Sequence, residues 1–235
     1  MLGTKWWRDR IEGRWPAAPY VLPMLAFLAL TQVESWTVAS LGDRSWAYPA
    51  CYGVKVVIVA VLTWLSRSTW SDFGPRMSAW AWAASVALGL MVTGAWVGLD
   101  GRYPSLPLSG DRVGYDPSRL GAVELGLFLI VRGFGLIVLI PVVEELFWRS
   151  FLMRWVIDQE FTRIPVGRVT WWAAAITAGL FGVAHPVWLP AVLAGLAWAG
   201  LLRWSGSLRA CLVSHAVANA ALLGHILWHQ AWKFW

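Results

Sequence analysis

Charge is scarce in this 235-residue chain: 14% of its residues are Asp, Glu, Lys or Arg, against 58% hydrophobic. A water-facing surface needs more charge than that, so an ordinary soluble domain is excluded. Cysteine is scarcer still. Cys51 and Cys211 both sit in apolar stretches, which rules out a disulfide framework or a four-cysteine zinc site and leaves them as small buried hydrophobes. No Lys/Arg run or basic stripe accompanies the net charge of +6, so the composition provides for no nucleic-acid partner. The chain has no internal repeat and no low-complexity tract, and neither a solenoid nor an inverted-repeat transporter gains support. Also missing are a C-terminal lipidation signal, an H-E-x-x-H zinc motif, a G-x-S-x-G elbow and an aspartate pair buried in two helices.

What is present is apolar and rich in indole. Twenty tryptophans are far above ordinary usage, and such amphipathic rings collect where hydrocarbon meets headgroups. Apolar windows fall at 18–40, 47–65, 79–99, 120–157, 169–185, 189–202 and 208–227, seven elements in all. The first follows a stretch too long and too acidic for a signal-peptide n-region and reads as a retained anchor. The fourth is too long for one perpendicular crossing, since about 38 residues rising ~1.5 Å each exceed a core of about 30 Å. Gly133, Gly135 and Pro141 are the expected points of a break or a flat segment. The stretch 100–119 reads as an exposed loop. The expected architecture is an all-α, polytopic transmembrane bundle of about seven to eight helices around a buried polar active-site cavity. It forms one membrane domain, with N-terminal helices and a loop over 1–119 and a catalytic helical core over 120–235. With the N-terminus inside, twelve Lys and Arg face the cytoplasm against five outside, from Lys5 and Arg8 through Arg209 on one side and including Arg112 on the other. Compactness and the lack of targeting features point to a bacterial inner (plasma) membrane.

Ionisable groups within apolar helices are costly, so each is a candidate for function. Glu144, Glu145 and Arg149 form E-E-x-x-x-R; Phe181 and His185 form F-x-x-x-H; His215 and Asn219 form H-x-x-x-N. Residues four apart share a helix face, so Glu145 is placed to pair with Arg149 as a packing ion pair. Glu144 points about 100° away and keeps its carboxylate free. His185, just before Pro186, suits either the site or a helix-terminal hydrogen bond to a carbonyl. Folding the chain about Arg163 and about Gly206 brings the three motifs to similar depth. His225 and His229 have ligand-like spacing but lie among interfacial tryptophans, and Glu34, Lys55, Glu124 and Arg132 are expected to pair with each other or snorkel.

Two chemistries fit this set. Glu144, helped by His185, could take a proton from water while His215 and Asn219 donate to the oxyanion of a tetrahedral intermediate. Alternatively, Glu144, His185 and His215 could hold zinc, which would acidify a bound water. Two non-hydrolytic readings stand beside them, a membrane scaffold locked by its polar set and a proton-coupled carrier.

The ordered set EELFWR (Glu144 to Arg149), FGVAH (Phe181 to His185) and HAVAN (His215 to Asn219) resembles the CAAX protease and bacteriocin-processing family, also called the Abi family. The resemblance covers about 120–227, and the size and tryptophan content also resemble the CAAX prenyl protease-related proteins that accompany bacterial exosortase systems. It implies an intramembrane endopeptidase acting on a membrane-associated protein or peptide in the lipid bilayer. It further implies that Glu144 and His185 activate water, that His215 and Asn219 form the oxyanion hole, and that Glu145 and Arg149 support the site. Members have been described as metalloproteases, which keeps zinc as an alternative cofactor. The eukaryotic relatives have eight helices and trim prenylated CAAX proteins, a substrate class that does not carry over to a bacterial chain.

Overall fold

The computed structural model describes residues 6–42, 44–74, 76–105 and 114–235. Lys5 and Arg112 of the charge count, the Arg8 side chain and 106–113 of the expected loop lie outside the described residues. Among the described residues every regular element is helical. Seven longer helices carry the fold: α1 (Ala18–Leu41), α2 (Ala47–Leu65), α3 (Ala79–Gly98), α4 (Ala122–Ile157), α5 (Trp171–Val183), α6 (Trp188–Ser205) and α7 (Leu208–His229). Five of them, α1 to α4 and α7, are long and apolar enough to cross a membrane. The chain is an integral membrane protein with a polytopic helical fold.

The fourth helix corrects one expectation. It does not break at Gly133, Gly135 or Pro141; it stays helical over Ala122–Ile157 through two π-helical stretches, Gly135–Leu139 and Glu145–Leu152. The cause lies in the backbone. Pro141 has no N–H to offer the carbonyl four residues back, and the preceding turn widens so that the Ile140 N–H reaches the Gly135 carbonyl five residues back.

The described chain forms two compact units, Met1–Trp70 with Tyr115–Val143, and Ser71–Gly114 with Glu144–Trp235. In the first unit α2 packs on α1 and on the N-terminal part of α4. Lys55 on α2 donates to Glu34 on α1 at 2.9 Å and to Thr31 at 3.3 Å, with its ammonium over the Phe27 and Tyr52 rings. Arg132 lies over the same Tyr52 ring, 4.6 Å from its centroid. The Tyr52 hydroxyl occupies the space that a Cβ on Gly135 would need, so a larger residue where the first π stretch starts would displace that ring. Glu124 instead caps its helix by accepting from the Gly121 N–H.

In the second unit α3 lies along α7 and α5 along α6. Gly89 makes the first contact close: a Cβ there would sit 2.5 Å from the Ser214 carbonyl oxygen and 2.9 Å from Val217. Thr93, one turn on, donates to the Ala218 carbonyl at 2.8 Å. Small residues at such contacts let helices approach where no hydrophobic force drives them together. At one end of this unit Arg154 binds Asp72 at 3.0 Å and also contacts the Ser150 hydroxyl and the Ile164 carbonyl. That arginine ties two connecting segments to α4. Gly206, at φ 64°, makes the turn between α6 and α7.

Both members of the Lys55–Glu34 pair are buried, so removing one strands the other. Lys55→Met is expected to lower stability in detergent by about 3 kcal/mol, and Glu34→Leu with Lys55→Met to recover most of that loss. Thermal unfolding of the three proteins checks this, and equal losses in the single and double variants would contradict it.

Candidate active site

The second π stretch of α4 carries the first motif, and its carboxylates are buried: Glu145 is 0% exposed, Glu144 4% and Arg149 2%. Oxygen Oε1 of Glu145 accepts from Arg149 Nη1 at 3.2 Å and from His215 Nδ1 at 2.9 Å. One carboxylate oxygen therefore fixes an arginine on its own helix and an imidazole on α7. The guanidinium of Arg149 lies 4.7 Å from the Phe181 ring centroid and 4.9 Å from that of Trp198. Two ring faces thus supply the surroundings that water would otherwise give a buried cation.

Glu144 stands apart from this bonding. Its Oε2 is buried, has no hydrogen-bond partner and lies 3.8 Å from His215 Nε2, beyond direct hydrogen-bond distance. Glu34 Oε2 and Glu145 Oε2 are also buried without a partner, but each of those carboxylates is bonded through its other oxygen, whereas no hydrogen bond among the described residues holds Glu144.

The two histidines are held in parallel ways. At the end of α5 the last carbonyls lack intrahelical donors, and Pro186 prevents another turn. His185 fills that need: its Nδ1 lies 2.7 Å from the Phe181 carbonyl. A carbonyl only accepts, so Nδ1 carries the proton and Nε2 keeps its lone pair. The ring rests 4.3 Å from the Phe181 ring and edge-on to Trp96 of α3 at 5.8 Å. His215 donates through Nδ1 to Glu145, leaving Nε2 toward Glu144, and its ring is stacked on Trp198 at 4.3 Å and 25°. The Trp198 indole is itself pinned, donating to the Ser214 hydroxyl at 3.0 Å.

Glu144, Glu145, Arg149, Phe181 and His215 therefore share one contact network, and His185 joins it through Phe181. No hydrogen bond connects His185 to Glu144 among the described residues. Asn219 follows His215 by one turn on the same face of α7 and is half-buried. Among the described residues no three His, Cys, Asp or Glu side chains gather as a metal-ligand set, so the zinc arrangement of Glu144, His185 and His215 has no geometric support here. His225 and His229 pack on each other and on Phe234 near the end of α7. Trp198 and Trp96 were not foreseen. For Trp198 the available signal was position, since it lies mid-helix rather than at a helix end where interfacial tryptophans gather.

Fold and site together define a polytopic helical membrane protein with a buried carboxylate–imidazole centre. Residues 126–221 match the family model described as type II CAAX prenyl endopeptidase, Rce1-like. The chain is similar to that family over this segment, which is less than half of its length and holds all three motifs. No curated protein and no solved structure matches the chain.

The two glutamates should separate in their effects on stability. Arg149→Leu leaves the Glu145 carboxylate buried without its cation and is expected to cost about 3–5 kcal/mol. Glu144→Gln breaks no bond seen here and should cost under about 1 kcal/mol, the range of an undisturbed hydrogen-bonding site. Unfolding of both variants in detergent decides, and comparable losses would show that Glu144 also carries the fold.

Proposed function

We propose that this protein is an intramembrane endopeptidase that hydrolyses a peptide bond in a membrane-associated protein or peptide. The observation that carries the reading is the division between adjacent carboxylates, with Glu145 bonded to Arg149 and His215 while Glu144 Oε2 is buried and unpartnered near His215 Nε2. The family match over 126–221 supports the same class of activity.

In this mechanism Glu144 takes a proton from a water, and the resulting hydroxide attacks the scissile carbonyl carbon. The His185 lone pair on Nε2 is a second acceptor that orients that water. Charge develops on the carbonyl oxygen, where the Asn219 amide and His215 Nε2 donate; His215 does so as an imidazolium, with Nδ1–H still on Glu145. Collapse of the tetrahedral intermediate breaks the C–N bond, and the amine leaves with the proton held by Glu144. A carboxylate and an amine are the products. The apolar bundle keeps bulk water from the charged groups, which strengthens each of these interactions. Residence in a bacterial inner membrane completes the reading.

The test is mass spectrometry of protein termini in cells that lack this gene and carry wild type, Glu144→Gln, His185→Ala or Asn219→Ala at matched expression. Uncleaved species are expected to persist with Glu144→Gln and His185→Ala, and Asn219→Ala should slow processing by about 100-fold, the effect of losing one oxyanion donor. Wild-type termini in cells carrying Glu144→Gln would refute catalysis and favour a scaffold locked by the same polar network.

A further inference from the structure

Each site histidine is held by a hydrogen bond at Nδ1 and by aromatic contact, and in each case one of the contacting rings is a tryptophan outside the three motifs. A single hydrogen bond at Nδ1 sets the direction of the ring but not its plane, because the ring can still turn about that bond. For His215 the bond goes to Glu145 and the plane is set by the Trp198 face, stacked at 25° and 4.3 Å. For His185 the bond goes to the Phe181 carbonyl, the Phe181 ring lies 4.3 Å away at 40°, and the Trp96 indole stands edge-on at 85° and 5.8 Å.

The two tryptophans are themselves fixed. Trp198 donates to Ser214, the residue before His215 on α7, and its ring also lies against the Arg149 guanidinium. One indole therefore touches both partners of Glu145. Trp96 belongs to α3, which is held to α7 by the Gly89–Ser214 approach and by the Thr93 bond to Ala218 one turn earlier than Trp96. That helix lies outside the family-matched segment 126–221, yet its α7 contacts place a ring on His185.

We infer that Trp198 and Trp96 are positioning residues for His215 and His185, holding the plane of each ring so that Nε2 is turned to the reacting groups, and that α3 is thereby a working part of the site. The inference rests on the endopeptidase reading only for its effect on rate; the ring positions are properties of the resting protein.

The chain has four histidines, few enough to resolve by imidazole nitrogen NMR of histidine-labelled protein in detergent, with His→Gln variants assigning each signal. Wild type is expected to show one sharp set of ring signals each for His185 and His215. Trp198→Phe and Trp96→Phe keep an aromatic surface and should keep these signals sharp. Trp198→Leu should broaden or split the signals of His215 alone, and Trp96→Leu those of His185 alone. In processing, each Leu variant should lower kcat by about 10- to 100-fold with little change in KM, the scale of a misplaced reacting group. Trp96 is half-buried, so its Leu variant keeps the fold even where Trp198→Leu does not. Sharp, single His185 ring signals in folded Trp96→Leu protein overturn the proposal. Broadened signals in the Leu variants together with normal processing by Glu144→Gln would uphold the positioning and reject the endopeptidase reading.

Discussion

One oxygen atom organises this site. Glu145 Oε1 accepts from an arginine on its own helix and from a histidine on α7, inside a bundle where neither partner has water to fall back on. Stranding any member of such a cluster leaves an uncompensated charge in low dielectric, so the three groups stand or fall together. With Glu145 committed, His215 has one ring nitrogen left to point toward Glu144, whose Oε2 has no hydrogen-bond partner. A structural carboxylate beside a free one gives a site that is rigid in its frame and reactive at one point.

The surrounding fold serves that arrangement. A π stretch carries Glu145 to Leu152, and such wide turns recur at functional positions of helices. The aromatic groups do the work that solvent does elsewhere. Phe181 and Trp198 face the Arg149 guanidinium, and the carbonyl of that same phenylalanine orients His185. The F-x-x-x-H spacing thus has a double purpose: its ring serves the cation and its backbone serves the histidine.

Much of this was legible in the residues. Apolar run length located all seven helices, with ends within a few residues of 18–40, 47–65 and the rest, because burial in hydrocarbon demands such runs. Helical spacing foresaw the Glu145–Arg149 pair, and glycine composition foresaw the turn at Gly206. Two kinds of feature were hidden. The strain of Pro141 shows in sequence only as a proline, whereas the backbone absorbed it by widening a turn instead of breaking. Tertiary partners were the other kind. Nothing in the α3 sequence announces that Gly89 and Thr93 seat it on α7, and Trp198 looks like any other of twenty tryptophans until His215 and Arg149 are found against it.

The central claim is that two adjacent glutamates divide structure from chemistry. Glu144→Gln and Glu145→Gln, expressed side by side and each scored for unfolding temperature and for processing of the same substrate termini, test it most directly. The account predicts a Glu144→Gln protein that unfolds like wild type and processes nothing, and a Glu145→Gln protein that unfolds earlier and loses processing with its fold. A Glu144→Gln protein as unstable as Glu145→Gln, or one that still processes, would contradict it.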